Sequence, residues 1–267
     1  MSPKLVLPSF AKINLGLKVR SRRADGFHDI CTIFQTISLC DTITFEPADQ
    51  ISLQCLDKTV PTDERNLIIR AGRLLKERFS ISKGANIYLD KVIPSPGGLG
   101  GGSSNAVVAL LALNKLWSIG ASIDELHGIA AMLGSDVPFF LYGGTAIGTG
   151  RGTDVEPVGD IEVSNILVVT PNISVSTAEA FASLDPRHLT SGESERILLN
   201  CRFRAEQGGF ADFDLDNDFE KTVFAAHSEI GDVKDRLLEL GAVRAAMSGS
   251  GASVFGILTT QRHGKQH

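Results

Sequence analysis

The stretch P-S-P-G-G-L-G-G-G-S-S-N-A-V-V-A-L-L-A-L, from Pro94 to Leu113, constrains this chain more than any other. Five of its first nine residues are glycine, and Ala106 to Trp117 is apolar on nearly every side. Glycines let backbone N–H groups approach an anion closely, and a helix starting beside them points its positive end at the same place. A helix apolar all round belongs in a protein interior. The expectation is a phosphate-binding loop with a helix beginning near Ser104. Ser103 and Ser104 add hydroxyl donors, and Ser104 is a candidate metal ligand.

Three common phosphate loops are excluded by residue identity. A Walker A loop needs lysine after its second glycine, and Ser103 follows Gly102 here. The dinucleotide fingerprint and the protein-kinase loop both need glycine where Ser103 stands.

The chain of 267 residues has room for one large domain or two modest ones. With 26 basic and 31 acidic residues its net charge is −5, and no basic block stands out. A nucleic-acid partner is therefore not expected, and attraction for an anionic ligand must be built locally. No apolar run reaches the length of a membrane span, and the N-terminus lacks a signal-peptide pattern, so a cytoplasmic protein is expected. Cys31, Cys40, Cys55 and Cys201 show no metal-ligand spacing and read as reduced thiols. The acidic run around Asp212–Glu220 is not a calcium loop, because Asn217 and Val223 occupy its glycine and glutamate positions.

Alternation predicts strands through Thr32–Leu39, Ile43–Phe45, Ile51–Cys55 and 86–90. Leu67, Ile68, Ala71, Leu74, Leu75 and Phe79 share one helical face. Ser122 and Glu125 form a capping box, and Gly134 suits a left-handed helix end. Residues 164–171 read as a buried strand, 232–240 as a short helix, and 247–258 as a turn and a strand. Strands grouped with helices, without strict alternation, indicate an α+β protein in two halves, 1–160 and 161–267.

Three motifs in order carry a resemblance. P-x-x-x-G-L-G-G-G-S-S-N is similar to the second motif of the GHMP small-molecule kinases, P-S-F-A-K-I-N at 8–14 to their first, and S-G-S-G-A at 248–252 to their third. R-A-D-G-F-H-D-I at 23–30 and L-G-S-D-V-P-F-F at 133–140 resemble one branch. That branch phosphorylates the 2-hydroxyl of a cytidine-diphosphate-linked methylerythritol in the non-mevalonate route to isoprenoid precursors. N-L-I at 66–68, D-K-x-I-P at 90–94 and N-D-F-E at 217–220 extend the likeness over nearly the whole chain.

The resemblance implies an N-terminal half like domain 2 of ribosomal protein S5 and a ferredoxin-like C-terminal half, with ATP as co-substrate and Mg2+ expected. It assigns ATP to Pro94, Ser95, Pro96, Gly97, Gly98, Leu99, Gly100, Gly101, Gly102, Ser103 and Ser104, with Asn66 and Lys91 near the adenine. It makes Asp136 the general base and sets Lys12 beside it; alone, Asp136 would read as a cap and Lys12 as a solvated side chain. It gives Asn14, Phe27, His28, Thr177 and Phe181 to the alcohol substrate, with His28 at the cytosine edge and rings 27 and 181 on its faces. Gly249, Ser250 and Gly251 are expected near the diphosphate. Many relatives carry tyrosine at position 27 and extend further at the C-terminus. The expected assembly is a monomer or weak homodimer, and the alternative acceptor is a mevalonate derivative, homoserine or a sugar.

Overall fold

The computed structural model describes residues 4–161, 165–184 and 215–258. Its first sheet is organised by two long antiparallel strands, β1 (Leu5–Arg22) and β2 (His28–Ala48). The second half of β2 pairs with β4 (Gly84–Asp90) and its first half with β5 (Thr145–Thr149), so one bent strand spans the sheet. β3 (Ile51–Cys55) runs parallel to β4, and β6 (Asp154–Pro157) closes the other edge.

Helices α1 (Leu67–Phe79), α2 (Gly101–Leu116) and α3 (Ile123–Leu133) pack on this sheet through Ile68, Leu75, Leu110, Leu113 and Ile129, against Ile43, Phe45 and Ile87. The apolar stripe of α1 falls on the predicted residues. Its start is fixed by Asn66, whose Oδ1 accepts from Ile68 N at 2.9 Å. α3 opens on the predicted capping box of Ser122 and Glu125.

The second sheet is three-stranded, in the order β7 (Ile166–Val169), β9 (Val254–Ile257) and β8 (Arg244–Met247). α4 (Thr177–Ala182), α5 (Glu220–Ala226) and α6 (Ser228–Glu239) accompany it. Between the sheets, Ala11, Ile13 and Leu15 of β1 meet Ala246, Phe255 and Ile257 in one apolar seam. Even-numbered β1 residues there face the opposite way, and that alternation places Lys12 and Asn14 outside the seam.

Four expectations are corrected. Strand β7 is an edge with Leu167 43% exposed, so its apolar run does not mark full burial. Gly134 ends α3 at φ 169°, which is extended backbone and not left-handed. α6 starts at Ser228, four residues before the predicted start. α2 starts at Gly101 and not near Ser104: Gly100 is its cap, and the Ser104 N–H already bonds Gly100 O at 2.9 Å. Cys201 and residues 259–267 lie outside the described residues. Cys40 and Cys55 are free thiols. Among the described residues, no helix is long and apolar enough to cross a membrane.

Candidate active site

A cavity of about 1080 Å³ opens where β1, the glycine loop, the loop after α3 and the turn between β8 and β9 converge. Its floor is polar because of β1. Alternation along that strand buries Ala11, Ile13 and Leu15 in the seam and turns Lys12 and Asn14 to the cavity. The β1–β2 pairing also slips between Phe10 and Lys12, and such an irregularity re-aims a side chain. Lys12 is only 2% exposed, so its charge must be compensated. Its Nζ donates to Asn14 Oδ1 at 2.6 Å, lies 3.3 Å from Asp136 Oδ2 and stands 5.6 Å above the Phe34 ring. Asn14 in turn donates to Thr32 Oγ1 at 2.7 Å, which donates to Gly16 O.

Asp136 stands between α3 and the 3-10 helix Pro138–Leu141. Phe139, fully buried, stacks on Phe34 at 4.7 Å and sets where this turn meets β2. The short helix takes Val137 as its cap and has no side-chain cap bond, so Asp136 does not cap it. The carboxylate is a third exposed and points its ionic contact at Lys12.

The glycine loop is stitched to both halves of the protein. Lys12 N donates to Leu99 O at 2.9 Å, Ser253 N to Gly97 O at 3.2 Å, and Ser248 Oγ to Gly98 O at 2.9 Å. Gly98 and Gly100 both have left-handed backbone, φ 71° and 69°. A β-carbon on Gly98 would sit 2.1 Å from Ser248 O, and one on Gly100 would meet Phe140 and Lys12. No side chain caps α2, so the first N–H groups of the helix, at cavity-lining Gly101, Gly102 and Ser103, have no intrahelical acceptor. This makes an anion site from backbone alone.

At the other end of the cavity, the turn between β1 and β2 presents an aromatic group. Arg23 N donates to Phe27 O at 2.7 Å and the Asp25 carboxylate accepts from Phe27 N, which leaves Phe27 49% exposed. The Arg151 guanidinium covers one Phe27 face at 4.7 Å. His28 stacks on Phe181 at 5.1 Å, with 18° between the rings, and Phe181 meets Phe219 edge-on. Burial, and secondarily the positive charge of Arg22, hold the His28 imidazole below its ordinary range. The neutral ring offers one donor and one acceptor. Thr177 Oγ1 lies 2.9 Å from Ser250 Oγ, and both residues line the cavity.

Of the sequence-predicted residues, Lys12, Asn14, Phe27, His28, Pro94 through Ser103, Asp136, Thr177, Phe181, Gly249 and Ser250 line this cavity. Four others do not. Asn66 is engaged as the α1 cap, with its amide donating to Pro61 O. Lys91 pairs with Asp41, which is fully buried, and donates to Ile93 O underneath the loop. Ser104 is buried, 2.8 Å from the Ser9 hydroxyl, and Gly251 turns toward Met247. Sequence reading missed Arg22 and Arg151, which also line the cavity. The two signals were the basic cluster before Phe27 and the lone arginine within G-T-G-R-G.

The GHMP kinases N terminal domain matches residues 66–144, and the GHMP kinases C terminal domain matches residues 203–266. The chain is 39% identical over 257 residues to 4-diphosphocytidyl-2-C-methyl-D-erythritol kinase of Bacillus cereus strain B4264, covering 96% of this chain and 88% of that one. The chain belongs to this family of GHMP kinases. The enzyme of that name from Bacillus anthracis is also 39% identical, over 259 residues. A crystal structure of 4-(cytidine 5'-diphospho)-2C-methyl-D-erythritol kinase superposes with TM-score 0.78 at 34% identity, covering 95% of this chain and 90% of that one. Homoserine kinase from Cytophaga hutchinsonii (TM-score 0.70, 21% identity; 98% and 87% covered) and L. major mevalonate kinase (0.68, 16%; 98% and 91%) share the fold.

Proposed function

We propose that this chain transfers the γ-phosphoryl group of ATP to the 2-hydroxyl of 4-diphosphocytidyl-2-C-methyl-D-erythritol. One observation carries the reading. A buried ammonium and a carboxylate meet at 3.3 Å beside an uncapped helix N-terminus, in the same cavity as the Phe27–His28–Phe181 wall. The two ends suit the two ends of that reaction.

The triphosphate lies along the glycine loop with its anionic oxygens on the N–H groups of Gly101 to Ser103. Asp136 accepts the hydroxyl proton as the alcohol oxygen bonds to the γ-phosphorus and the bond to the β–γ bridging oxygen breaks, releasing ADP. Lys12, held by Asn14, neutralises charge on the entering oxygen. At the far end, His28 reads the cytosine edge and the aromatic rings stack on its faces. Arg22 and Arg151 supply positive charge for the diphosphate between.

Magnesium fits as a guest of the triphosphate. Asp136 is the one carboxylate among the described cavity-lining residues and Ser103 a hydroxyl in the first turn of α2, which suits an ion bound through one or two protein groups plus phosphates. When bound it neutralises charge on the transferring group. We place the boundary between the two halves near residue 160. The free thiols at 40 and 55 suit a reducing cytoplasm, where we expect a monomer or weak homodimer.

ADP release is measured with the cytidylyl alcohol, mevalonate, homoserine and galactose in parallel. Turnover confined to the first supports the reading. Equal or faster turnover of another alcohol overturns it.

A further inference from the structure

Three peptide groups around the third glycine motif depend on one segment that lies outside the cavity wall. Residues 216–218 run beside β1: Leu17 N donates to Asp216 O at 2.8 Å, and Asp218 N donates to Leu17 O at 3.0 Å. Val19 N donates to the Asp218 carboxylate at 2.8 Å, and Lys18 pairs with both Asp216 and Asp218. Between these two aspartates, Asn217 turns the other way and is 4% exposed. Its Nδ2 donates to Met247 O at 2.7 Å and to Gly249 O at 2.8 Å, and its Oδ1 accepts from Phe219 N at 3.0 Å. Glu220 adds a contact to the same turn by accepting from Met247 N at 2.8 Å.

The consequence follows from peptide geometry. The Gly249–Ser250 peptide is trans, so its carbonyl and its N–H point in opposite directions. With Gly249 O fixed on buried Asn217, the Ser250 N–H is turned away from Asn217, to the side where Gly249 and Ser250 line the cavity. A β-carbon on Gly249 would stand 3.4 Å from Lys12 Nζ and 3.2 Å from Gly98 O, so this amide lies beside both the ammonium and the phosphate loop. We propose that Asn217 is a positioning residue that aims the Ser250 N–H at an anionic oxygen of the transferring phosphoryl group. It holds that donor in register with Lys12 because its own segment is hydrogen-bonded to the strand that carries Lys12. The inference rests on the phosphoryl-transfer reading above.

The test uses Asn217→Asp in the full chain. The carboxylate keeps the acceptor for Phe219 N, loses both donors and faces two carbonyl oxygens. A misaimed donor predicts that kcat falls roughly 10- to 100-fold while KM for ATP stays within about threefold. Burial against two carbonyls favours the neutral acid, which regains one donor. The ratio of variant to wild-type kcat should therefore climb as pH falls from about 8 to about 6. Lys18→Met removes the ion pairs with Asp216 and Asp218 but keeps the backbone hydrogen bonds that tether the segment to β1, so it should lower Tm and leave kcat alone. If the aspartate variant does not fold, Asn217→Ser, which keeps one shorter-reach donor, should show the same loss of kcat at unchanged KM for ATP. Unchanged kcat in a folded variant overturns the proposal. So does a loss that is equal at every pH and matched by Lys18→Met. Wild-type inactivity on the cytidylyl alcohol would instead sink the functional reading.

Discussion

Replacing Gly98 by alanine tests whether the second and third glycine motifs are packed into one device. The position has φ 71°, and a left-handed conformation costs an alanine about 1–2 kcal/mol. The new methyl would also lie 2.1 Å from Ser248 O and 3.1 Å from Gly251 O, both backbone atoms that no rotamer change can move aside. Relief requires the two loops to separate by about 1 Å, which strains or breaks the Ser248 Oγ–Gly98 O and Ser253 N–Gly97 O hydrogen bonds, each worth about 1 kcal/mol net. Together the loss is about 3–4 kcal/mol. Gly120 supplies the comparison: its φ is 76°, but nothing lies within 4 Å of its added β-carbon. Gly120→Ala should cost only the conformational part, about 1–2 kcal/mol, and leave turnover unchanged. Urea unfolding of both variants isolates the clash as the difference between them. Because an ångström of misplacement costs about 10²-fold in rate, Gly98→Ala should also lose about two decades of kcat. If it is no less stable than Gly120→Ala, or turns over normally, the loops are not packed as described.

Asp136→Asn should lower turnover roughly 10²–10⁴-fold with ATP binding, followed by nucleotide fluorescence, nearly unchanged; near-normal turnover removes it from the mechanism. Lys91→Met strands fully buried Asp41 and should destabilise by about 3–5 kcal/mol in thermal unfolding. A drop in ATP affinity at unchanged stability would instead restore Lys91 to the adenine site. Because the folded His28 value lies below 6.5, the unfolded chain takes up its proton first as pH falls. His28 therefore subtracts stability on acidification below pH 6.5, levelling off under the folded value, and KM for the cytidylyl alcohol should rise only below that pH while KM for ATP does not. A rise already above pH 6.5, or one that persists in His28→Phe, would rule this out.

How much of this was legible in advance depended on the range of the interaction. The α1 stripe and the α3 capping box are set by residues three and four apart, and both fell where periodicity put them. The start of α2 was misplaced because glycine is a poor helix former, so a sequence reading begins the helix at the first residue with a side chain. The structure begins it at Gly101 instead, where bare N–H groups serve an anion best. Lys12 illustrates another limit. Alternation showed that it sits opposite Ala11 and Ile13, but not that the β8–β9 turn and the glycine loop cover that face too. The partners of Asn217 and Arg151 could not be read from neighbouring residues, since each acquires them across a long stretch of chain.

The charge distribution explains why the proposed site draws on both sheets. A chain of net charge −5 repels a triphosphate and a diphosphate at long range, so attraction has to come from groups the ligands touch. Among the described residues, Lys12, Arg22 and Arg151 line the cavity against the single carboxylate of Asp136, and the α2 N-terminus adds its partial positive charge. Bringing these together buries Lys12, which is tolerable only while Asn14 and Asp136 remain bonded to it. Asn14 comes with the strand, but Asp136 arrives from the loop after α3, and the wall that closes over both comes from the β8–β9 turn. The interlocked glycine loops therefore do two jobs with one geometry. On the reading proposed above, they shape the phosphate site, and they hold the low-dielectric surroundings in which one ammonium and one carboxylate would act strongly on a single hydroxyl.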